Sequence, residues 1–349
     1  MSEIKVSVII PAYNTAPYME RALDSIRQLS SLDYEIWFVD DGSTDNTLQL
    51  LRQVEAQCRN VYILTQIHSG PARARNNGLA HANGKYIYFM DSDDYIEPGG
   101  LEVLAAKIEQ TQADVVVSGI YEEAGGAVTE IRYPACRFQS RQEYLEQAVA
   151  LWDTHLPYTM GNKIYRASFL NEYGIDFPEE YVFGEDTRFN MQVFALAQRI
   201  SVLDKSFYHY VRERQGSTTT RYKEGLFEIR TAEYEMFWKY FQQQDLLTED
   251  GIEYLSRRHA ERLCGCVVNL FLPNNGLSRT FRMQEIQKLC TAEYTRYALK
   301  HAKLRSRKMK FILWPVEQRS VCLTYWVGAM IASVQIKFPG LFIKLKAGR

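Results

Sequence analysis

Short apolar runs and longer amphipathic stretches alternate through the first 120 residues. Val6–Ile10, Tyr34–Val39, Val61–Leu64, Tyr86–Met90 and Val115–Val117 are rich in β-branched and aromatic residues, which is the pattern of short buried strands. Between them, stretches near 17 to 30, 45 to 57, 71 to 82 and 98 to 111 carry apolar residues at helical spacing. Apolar strands separated by helices predict an α/β fold, with a mostly parallel, Rossmann-like central sheet flanked by helices and ligands bound beyond the carboxyl ends of the strands. The polar residues after each strand are therefore the candidates for chemistry. From Tyr222 onward the pattern changes to long helical stretches near 223 to 245, 250 to 271 and 281 to 300, striped with aromatic residues and leucine as packing faces. Asn274-Asn275-Gly276 marks a turn between two of them. No repeat, low-complexity segment or Gly/Ser-rich linker interrupts the chain, so a C-terminal helical extension is expected.

Four segments that follow strands carry chemistry. Pro11-Ala12-Tyr13-Asn14 is a proline-stiffened turn whose backbone can meet a base edge and whose ring can stack on it; a plain strand-to-helix loop reads the same way. Asp40-Asp41-Gly42-Ser43-Thr44-Asp45 offers a carboxylate able to accept the N3 proton of a uracil, while Ser43 or Asp45 can cap the next helix. Gly70-Pro71-Ala72-Arg73-Ala74-Arg75-Asn76-Asn77-Gly78 puts guanidinium groups at a helix start, suited to phosphate or base contacts or to a solvated face. In Asp91-Ser92-Asp93-Asp94, two carboxylates one residue apart can hold Mg²⁺ or Mn²⁺ against a diphosphate. Such triplets also form Asx-turns and helix caps.

Taken in order, these segments resemble the family 2 glycosyltransferases, which have the nucleotide-sugar-binding GT-A fold. The resemblance runs from Val6 to about Thr220, through V-S-V-I-I-P-A-Y-N, V-D-D-G-S-T-D, G-P-A-R-A-R-N-N-G-L, Y-I-Y-F-M-D-S-D-D, N-K-I-Y-R and F-G-E-D. It implies inverting transfer from a nucleoside diphosphate sugar, usually UDP-linked, with a divalent metal. By resemblance Pro11, Ala12, Tyr13, Asn14, Asp40 and Asp41 belong to the donor's nucleoside, with Arg75 and Asn76 nearby. Asp91, Ser92 and Asp93 go to the diphosphate, and Asp91 and Asp93 to the metal. Two departures stand out: Tyr13-Asn14-Thr15-Ala16 lacks the carboxylate that many relatives have shortly after the asparagine, and Ala72 stands where serine is common.

A second cluster, Phe183-Gly184-Glu185-Asp186, opens an amphipathic stretch from 185 to 198, where a helix N-terminus favours carboxylates with or without chemistry. An inverting displacement needs a base for the proton of the attacking hydroxyl. The resemblance makes that base Asp186, with Glu185 beside it to orient the acceptor or raise the base's pKa. Asn162-Lys163-Ile164-Tyr165-Arg166 resembles the family's acceptor-side segment, with Lys163 either meeting an anionic acceptor group or lying on the surface beside a strand. Phe207–Arg212 and Gln215–Thr220 resemble a loop that orders over the donor. There His209 is a candidate third metal ligand or diphosphate contact and Arg212 a candidate phosphate contact, although the alternating aromatics also suit a packed strand. The expected organisation is a glycosyltransferase domain over 1–220, with a nucleotide-sugar part to about 120 and an acceptor part from 121, then a helical region over 221–349.

Charge adds a partner. The chain of 349 residues has a net charge of -1. Residues 301–349 hold ten Lys or Arg against Glu317 alone, which leaves ten net negative charges on the first 300 residues. A basic, aromatic-rich tail from about 303 on an acidic body suggests an anionic membrane leaflet rather than nucleic acid, because apolar stretches interleave with the charges. Val321–Ile336 is uncharged but falls short of the roughly 20 apolar residues of a spanning helix. A packed helix or an oligomer contact is the other reading. Six cysteines without a Cys-x-x-Cys pair fit reduced thiols, and Val6–Ile10, halted by Pro11, reads as a strand and not a signal peptide. The expected place is the cytoplasm, peripheral on the inner face of the membrane, with a growing glycan or lipid-linked glycan as acceptor, as in capsule or exopolysaccharide assembly. A sugar-nucleotide-forming nucleotidyltransferase would need a glycine-rich triphosphate loop that Pro11–Tyr18 lacks. A non-catalytic scaffold would have no need of Asp91, Asp93 and Asp186 together.

Overall fold

The computed structural model describes residues 5–28, 33–181, 184–212, 222–272 and 275–337. Gln215–Thr220, Phe183, Asn274 and the last residues of the basic tail, from 338, lie outside the described residues. The chain divides into two compact units, Met1–Arg214 and Gln215–Arg349.

The first unit is built on strands β1 Val6–Ala12, β2 Tyr34–Asp40, β3 Val61–Thr65, β4 Tyr86–Phe89, β5 Tyr95–Ile96, β6 Val115–Ala124, β7 Ala127–Ile131, β8 Cys136–Phe138, β9 Lys163–Arg166 and β10 Ile200–Val211. Its helices are α1 Glu20–Arg27, α2 Thr47–Gln57, α3 Pro71–His81, α4 Gly100–Thr111, α5 Arg141–Asp153, α6 Ala167–Tyr173 and α7 Glu185–Leu196. The sheet order is β3-β2-β1-β4-β9-β6-β10-β5, with β7 on β6 and β8 on β10. The α/β fold stands, and one feature of the expected sheet needs correcting. The five anticipated strands all run in one direction, and β3, β2, β1 and β4 are parallel neighbours. However, β9 is wedged antiparallel between β4 and β6. Together with β5, β7 and β8, also antiparallel to their partners, it makes the second half of the sheet mixed.

Close approach fixes the helices over the strand ends. In α3 a Cβ at Gly78 would lie 2.5 Å from Ile9 Cγ2, so only glycine lets this helix settle on β1. That contact sets the depth of Arg75, one turn earlier on the same face. Beneath the strand ends lies a cluster of rings from four separate segments. Phe177 stacks on Phe189 at 4.2 Å, and Phe89 meets both edge-on at 5.1 and 5.5 Å. Tyr165 closes the group against Phe89 and Phe189.

The second unit is helical: α8 Leu226–Gln243, α9 Glu249–Asn269, α10 Arg279–Thr291, α11 Glu293–His301, α12 Arg307–Glu317 and α13 Val321–Lys337. The single helix expected over 281 to 300 is two, because Ala292 takes an extended conformation (ψ 136°) between α10 and α11. Leu263, Val267, Ile286, Leu289, Leu313 and Val316 lie in its core.

Gly161 is as constrained as Gly78, since a Cβ there would sit 2.0 Å from the Tyr208 ring. Gly161→Ala is expected to lower stability by at least about 1–3 kcal/mol, the usual cost of overpacking, measured by urea unfolding; a change under about 0.5 kcal/mol would show that Tyr208 can yield.

Candidate active site

The first two post-strand loops are sewn together. Asn14, at φ 50°, accepts from Thr44 N–H at 2.8 Å and Asp45 N–H at 3.3 Å, and its own N–H donates to Ser43 Oγ. Buried Thr47 Oγ1 accepts from Thr15 and Ala16 N–H, both at 2.9 Å. Asp45 lies one residue before the N-cap Asn46, so the capping reading is replaced by an Asx-turn: one oxygen accepts from Thr47 N–H and the other from Ala16 N–H. Pro11 and Ala12 end β1, with the Ala12 carbonyl accepting from Asp41 N–H. Tyr13 is 38% exposed and stacks on His68 with ring centroids 3.9 Å apart.

Neighbouring carboxylates in the second loop have different fates. Asp41 is buried and spent on the scaffold: its oxygens accept from Gln66 Nε2, Ser69 N–H and Gly70 N–H, each at 2.8 Å, with His68 Nδ1 2.9 Å away. The donor contact expected of Asp41 is corrected on that ground, because its lone pairs already organise the loop after β3. Asp40 is buried too, at 2% exposure, yet among the described residues it accepts only from Ser43 N–H at 3.3 Å. Its Oδ1 has no hydrogen-bond partner among them. A buried carboxylate oxygen left bare is costly unless a donor arrives to fill it.

After β4, which is buried throughout, burial differs residue by residue in the acidic turn: Asp91 and Asp93 are half-buried, whereas Ser92 and Asp94 are buried. Ser92 Oγ donates to Thr15 Oγ1 at 3.2 Å, which ties this turn to the first loop. Asp94 accepts from Tyr208 Oη at 2.5 Å and from Val211 N–H at 2.8 Å. Burial, then the charges of Asp91 and Asp93, push its carboxyl well above the ordinary carboxylate range, and its two hydrogen bonds make it an anchor for the turn. The Tyr208 oxygen also accepts from Asp91 N–H at 3.3 Å.

Arg75 joins the two acidic clusters. Its side chain is 4% exposed and its guanidinium reaches Asp91 Oδ1 at 2.7 Å, Asp186 Oδ1 at 2.7 Å and Glu185 Oε1 at 3.3 Å, with the Phe177 ring 5.3 Å away. These carboxylates lie 16, 110 and 111 positions away in sequence. Asp186 keeps 30% of its side chain exposed, while its Oδ1 is sealed against Arg75. Its pKa is pushed up to about 7, first by desolvation and then by Glu185 and Asp91, against the opposing pull of Arg75 and Lys163. A carboxyl poised there can take a proton at neutral pH.

Other candidates fall elsewhere. Asn76 pins the segment before α7, donating to the Phe177 carbonyl at 2.8 Å and accepting from Phe177 N–H at 2.8 Å. Lys163 is neither on the surface nor open to an acceptor. It is fully buried, and its ammonium donates to the Leu156 and Thr159 carbonyls and to Asn162 Oδ1. Desolvation lowers its pKa well below the usual lysine value, and the acceptor contact expected of it is withdrawn. His209 is also corrected as a metal ligand: Nδ1 lies 2.7 Å from Glu123 and Nε2 3.4 Å from Glu97, and its ring stacks on Tyr95. Arg212, half exposed, pairs with Glu122. Among the described residues no group of three or more His, Cys, Asp and Glu side chains is placed to hold a metal ion. What remains is the pair Asp91 and Asp93, and two hard carboxylates suit a Mg²⁺ or Mn²⁺ ion whose other positions are filled by phosphates and water.

Three features escaped the sequence reading. Asp94 is the buried member of the acidic turn, and the uninterrupted apolar run before it gives no alternation that would separate it from Asp93. The His68 ring has a weak signal, an aromatic in the loop after an anticipated strand. Nothing in spacing ties Tyr208 to the acidic run.

Arg75→Met is expected to cost about 3 kcal/mol, the low end for breaking a buried pair because two of the three carboxylates keep part of their surface in water. Without the guanidinium Asp186 titrates higher still, so the loss in urea unfolding should shrink as pH falls below about 7. A pH-independent loss would show that Arg75 acts through packing alone.

Residues 7–174 match the family model described as Glycosyl transferase family 2; the F-G-E-D segment lies beyond that span. The glycosyltransferase EpsJ of Bacillus subtilis is 26% identical over 309 residues, 87% of this chain and 88% of that protein. The poly(ribitol-phosphate) beta-N-acetylglucosaminyltransferase TarS of Staphylococcus aureus is 34% identical over 217 residues, 61% of this chain and only 36% of that protein. The crystal structure of S. aureus TarS 1-349 in complex with UDP superposes with a TM-score of 0.64 at 23% identity, covering 95% of this chain and 91% of that one. The resemblance drawn from the ordered motifs and the fold that carries them agree with these matches: residues 7–174, just under half of the chain, match the glycosyl transferase family 2 model, and the fold is that of the GT-A glycosyltransferases.

Proposed function

We propose that this protein is an inverting glycosyltransferase that moves a sugar from a UDP-sugar to a hydroxyl of a growing glycan. The observation that carries the reading is Arg75, which holds a carboxylate of the post-β4 acidic run and the pair at the start of α7 on one guanidinium. That arrangement is what a displacement between a diphosphate leaving group and an attacking hydroxyl requires. In this reading the donor part lies within about residues 1–120 and the acceptor part within 121–220.

The bare Asp40 Oδ1 accepts the imino proton of the base, beside the stacked Tyr13 and His68 rings. UDP as carrier is supported by the TarS structures, solved in complex with UDP and UDP-GlcNAc. Asp91 and Asp93 would hold the divalent ion together with the donor's diphosphate. When bound, such an ion acts as a Lewis acid that steadies charge on the departing phosphate oxygens; a mannosyltransferase of the same fold, from Pyrobaculum calidifontis, was solved in complex with GDP-Man and Mn²⁺. Asp186 accepts the proton of the acceptor hydroxyl as its oxygen bonds to the anomeric carbon. The bond from that carbon to the diphosphate oxygen breaks on the opposite face, with inversion. Arg75 fixes the rotamer of Asp186, and Glu185 helps hold its pKa near neutrality. The relatives' poly(ribitol-phosphate) acceptors support a polymer under assembly, in the polysaccharide setting read from the sequence.

Because only the ionised form of Asp186 can take the proton, kcat/KM should rise about tenfold per pH unit below about 7 and level off above it. Asp186→Asn should lose that limb and about 10²- to 10⁴-fold of transfer, with UDP affinity within about twofold of the parent as read by calorimetry. Transfer within a few fold of the parent would remove Asp186 as the base. Asp40→Ala should weaken UDP binding about 10- to 100-fold, the loss of one buried charge-assisted hydrogen bond, with unchanged circular dichroism. Unaltered affinity would place the base elsewhere. Released UDP from a panel of UDP-, GDP- and dTDP-sugars with Mn²⁺, with and without chelator, tests the class and names the sugar. Failure of every donor both to bind and to turn over would contradict it.

A further inference from the structure

Helix α13 carries no charged residue from Val321 to Ile336, yet only part of it is covered. Its inner stripe is Thr324, Gly328 and Ala332, small residues that let the helix lie close: a Cβ on Gly328 would come within 2.3 Å of the Phe271 ring. On its other side Leu323, Trp326 and Met330 are exposed, Trp326 at 64%. Helix α12 repeats the arrangement, with Ile312, Leu313 and Val316 buried and Phe311 and Trp314 more than half exposed. A helix apolar all round belongs to an environment that covers it all round, and an exposed stripe of large apolar side chains marks a contact surface.

Charge identifies the partner. Between Lys303 and Ser333 there are six Lys or Arg and one acid, Glu317, and the cations are exposed. Arg307 and Lys310 lie on the same outer face of α12 as Phe311 and Trp314, at helical spacings of three, four and seven. We propose that the outer face of α12 and α13 docks on an anionic lipid bilayer. Both helices lie in the interface, with their indoles at headgroup depth and the cations over the phosphates. Spanning is not implied: among the described residues no helix is long and apolar enough to cross a membrane. A second copy of this chain fits less well, because a two-fold contact through this face would set one basic cluster against another. None of these residues belongs to the proposed transfer site.

The test is flotation of the full chain with vesicles of phosphatidylcholine alone and of equal parts phosphatidylcholine and phosphatidylglycerol, followed by tryptophan emission. Binding should require the anionic lipid, weaken with salt and shift emission to the blue. The double variant Trp314→Ser/Trp326→Ser should bind at least about tenfold more weakly, and Arg307→Glu/Lys310→Glu similarly, each cation being worth roughly fivefold at an anionic surface. UDP binding, read on the same samples, should be unchanged in both variants, so failure at the membrane and failure of the transfer reading are told apart. No flotation with anionic vesicles, or flotation indifferent to the Trp variant, would overturn the proposal. So would a dimer in light scattering that the Trp variant converts to monomer, since the face would then belong to a second copy.

Discussion

One buried guanidinium sets the terms for the rest of this site. Arg75 has almost no access to water, and a buried charge of that kind is tolerable only with close, well-aligned counter-ions. Asp91, Glu185 and Asp186 supply three carboxylates for one cation, so the cluster is over-supplied with negative charge. Burial and that excess hold Asp186 near neutrality instead of at the acidic pKa of an ordinary aspartate. The same excess suits a divalent cation at the end of β4. The structural tie and the chemical readiness of the site thus share one origin.

The surroundings keep this arrangement in register. Gly78 lets α3 settle on β1 and so fixes how far Arg75 reaches. Phe89, Phe177 and Phe189 form a packed floor shared by β4, the segment before α7 and α7 itself, so the acidic run and the α7 pair cannot drift independently. Asp94 and Tyr208 lock the turn from the far side. Beyond the first unit, the helical one turns basic and aromatic residues outward on α12 and α13. That is a separate piece of surface chemistry, with its own physical logic.

Much of the fold was legible because each early strand is a short apolar run closed by a turn: all five anticipated strands exist within a residue or two, except that β6 runs on to Ala124. Strand β9 was not, because its first residue is Lys163, and a lysine reads as surface until three backbone and side-chain oxygens are found around its ammonium. Local spacing could nominate Asp40, Arg75, Asp91 and Asp186 but not pair the two acidic clusters, since Arg75 meets Glu185 and Asp186 across more than a hundred residues. It could not tell Asp40 from Asp41 either; what separates them is which way each carboxylate turns after β2. His209 looked free to bind a metal only because Glu97 and Glu123 are far from it in sequence.

A site-resolved titration reaches the central claim most directly. Carbon-13 NMR of the Asp carboxyls, with Asp186 assigned by its loss in Asp186→Asn, should show a midpoint near 7, moving upward when Arg75 is replaced by methionine. A midpoint in the ordinary range near 4, or one indifferent to Arg75, would contradict the account, because the guanidinium would then neither hold Asp186 nor set its readiness for the proton.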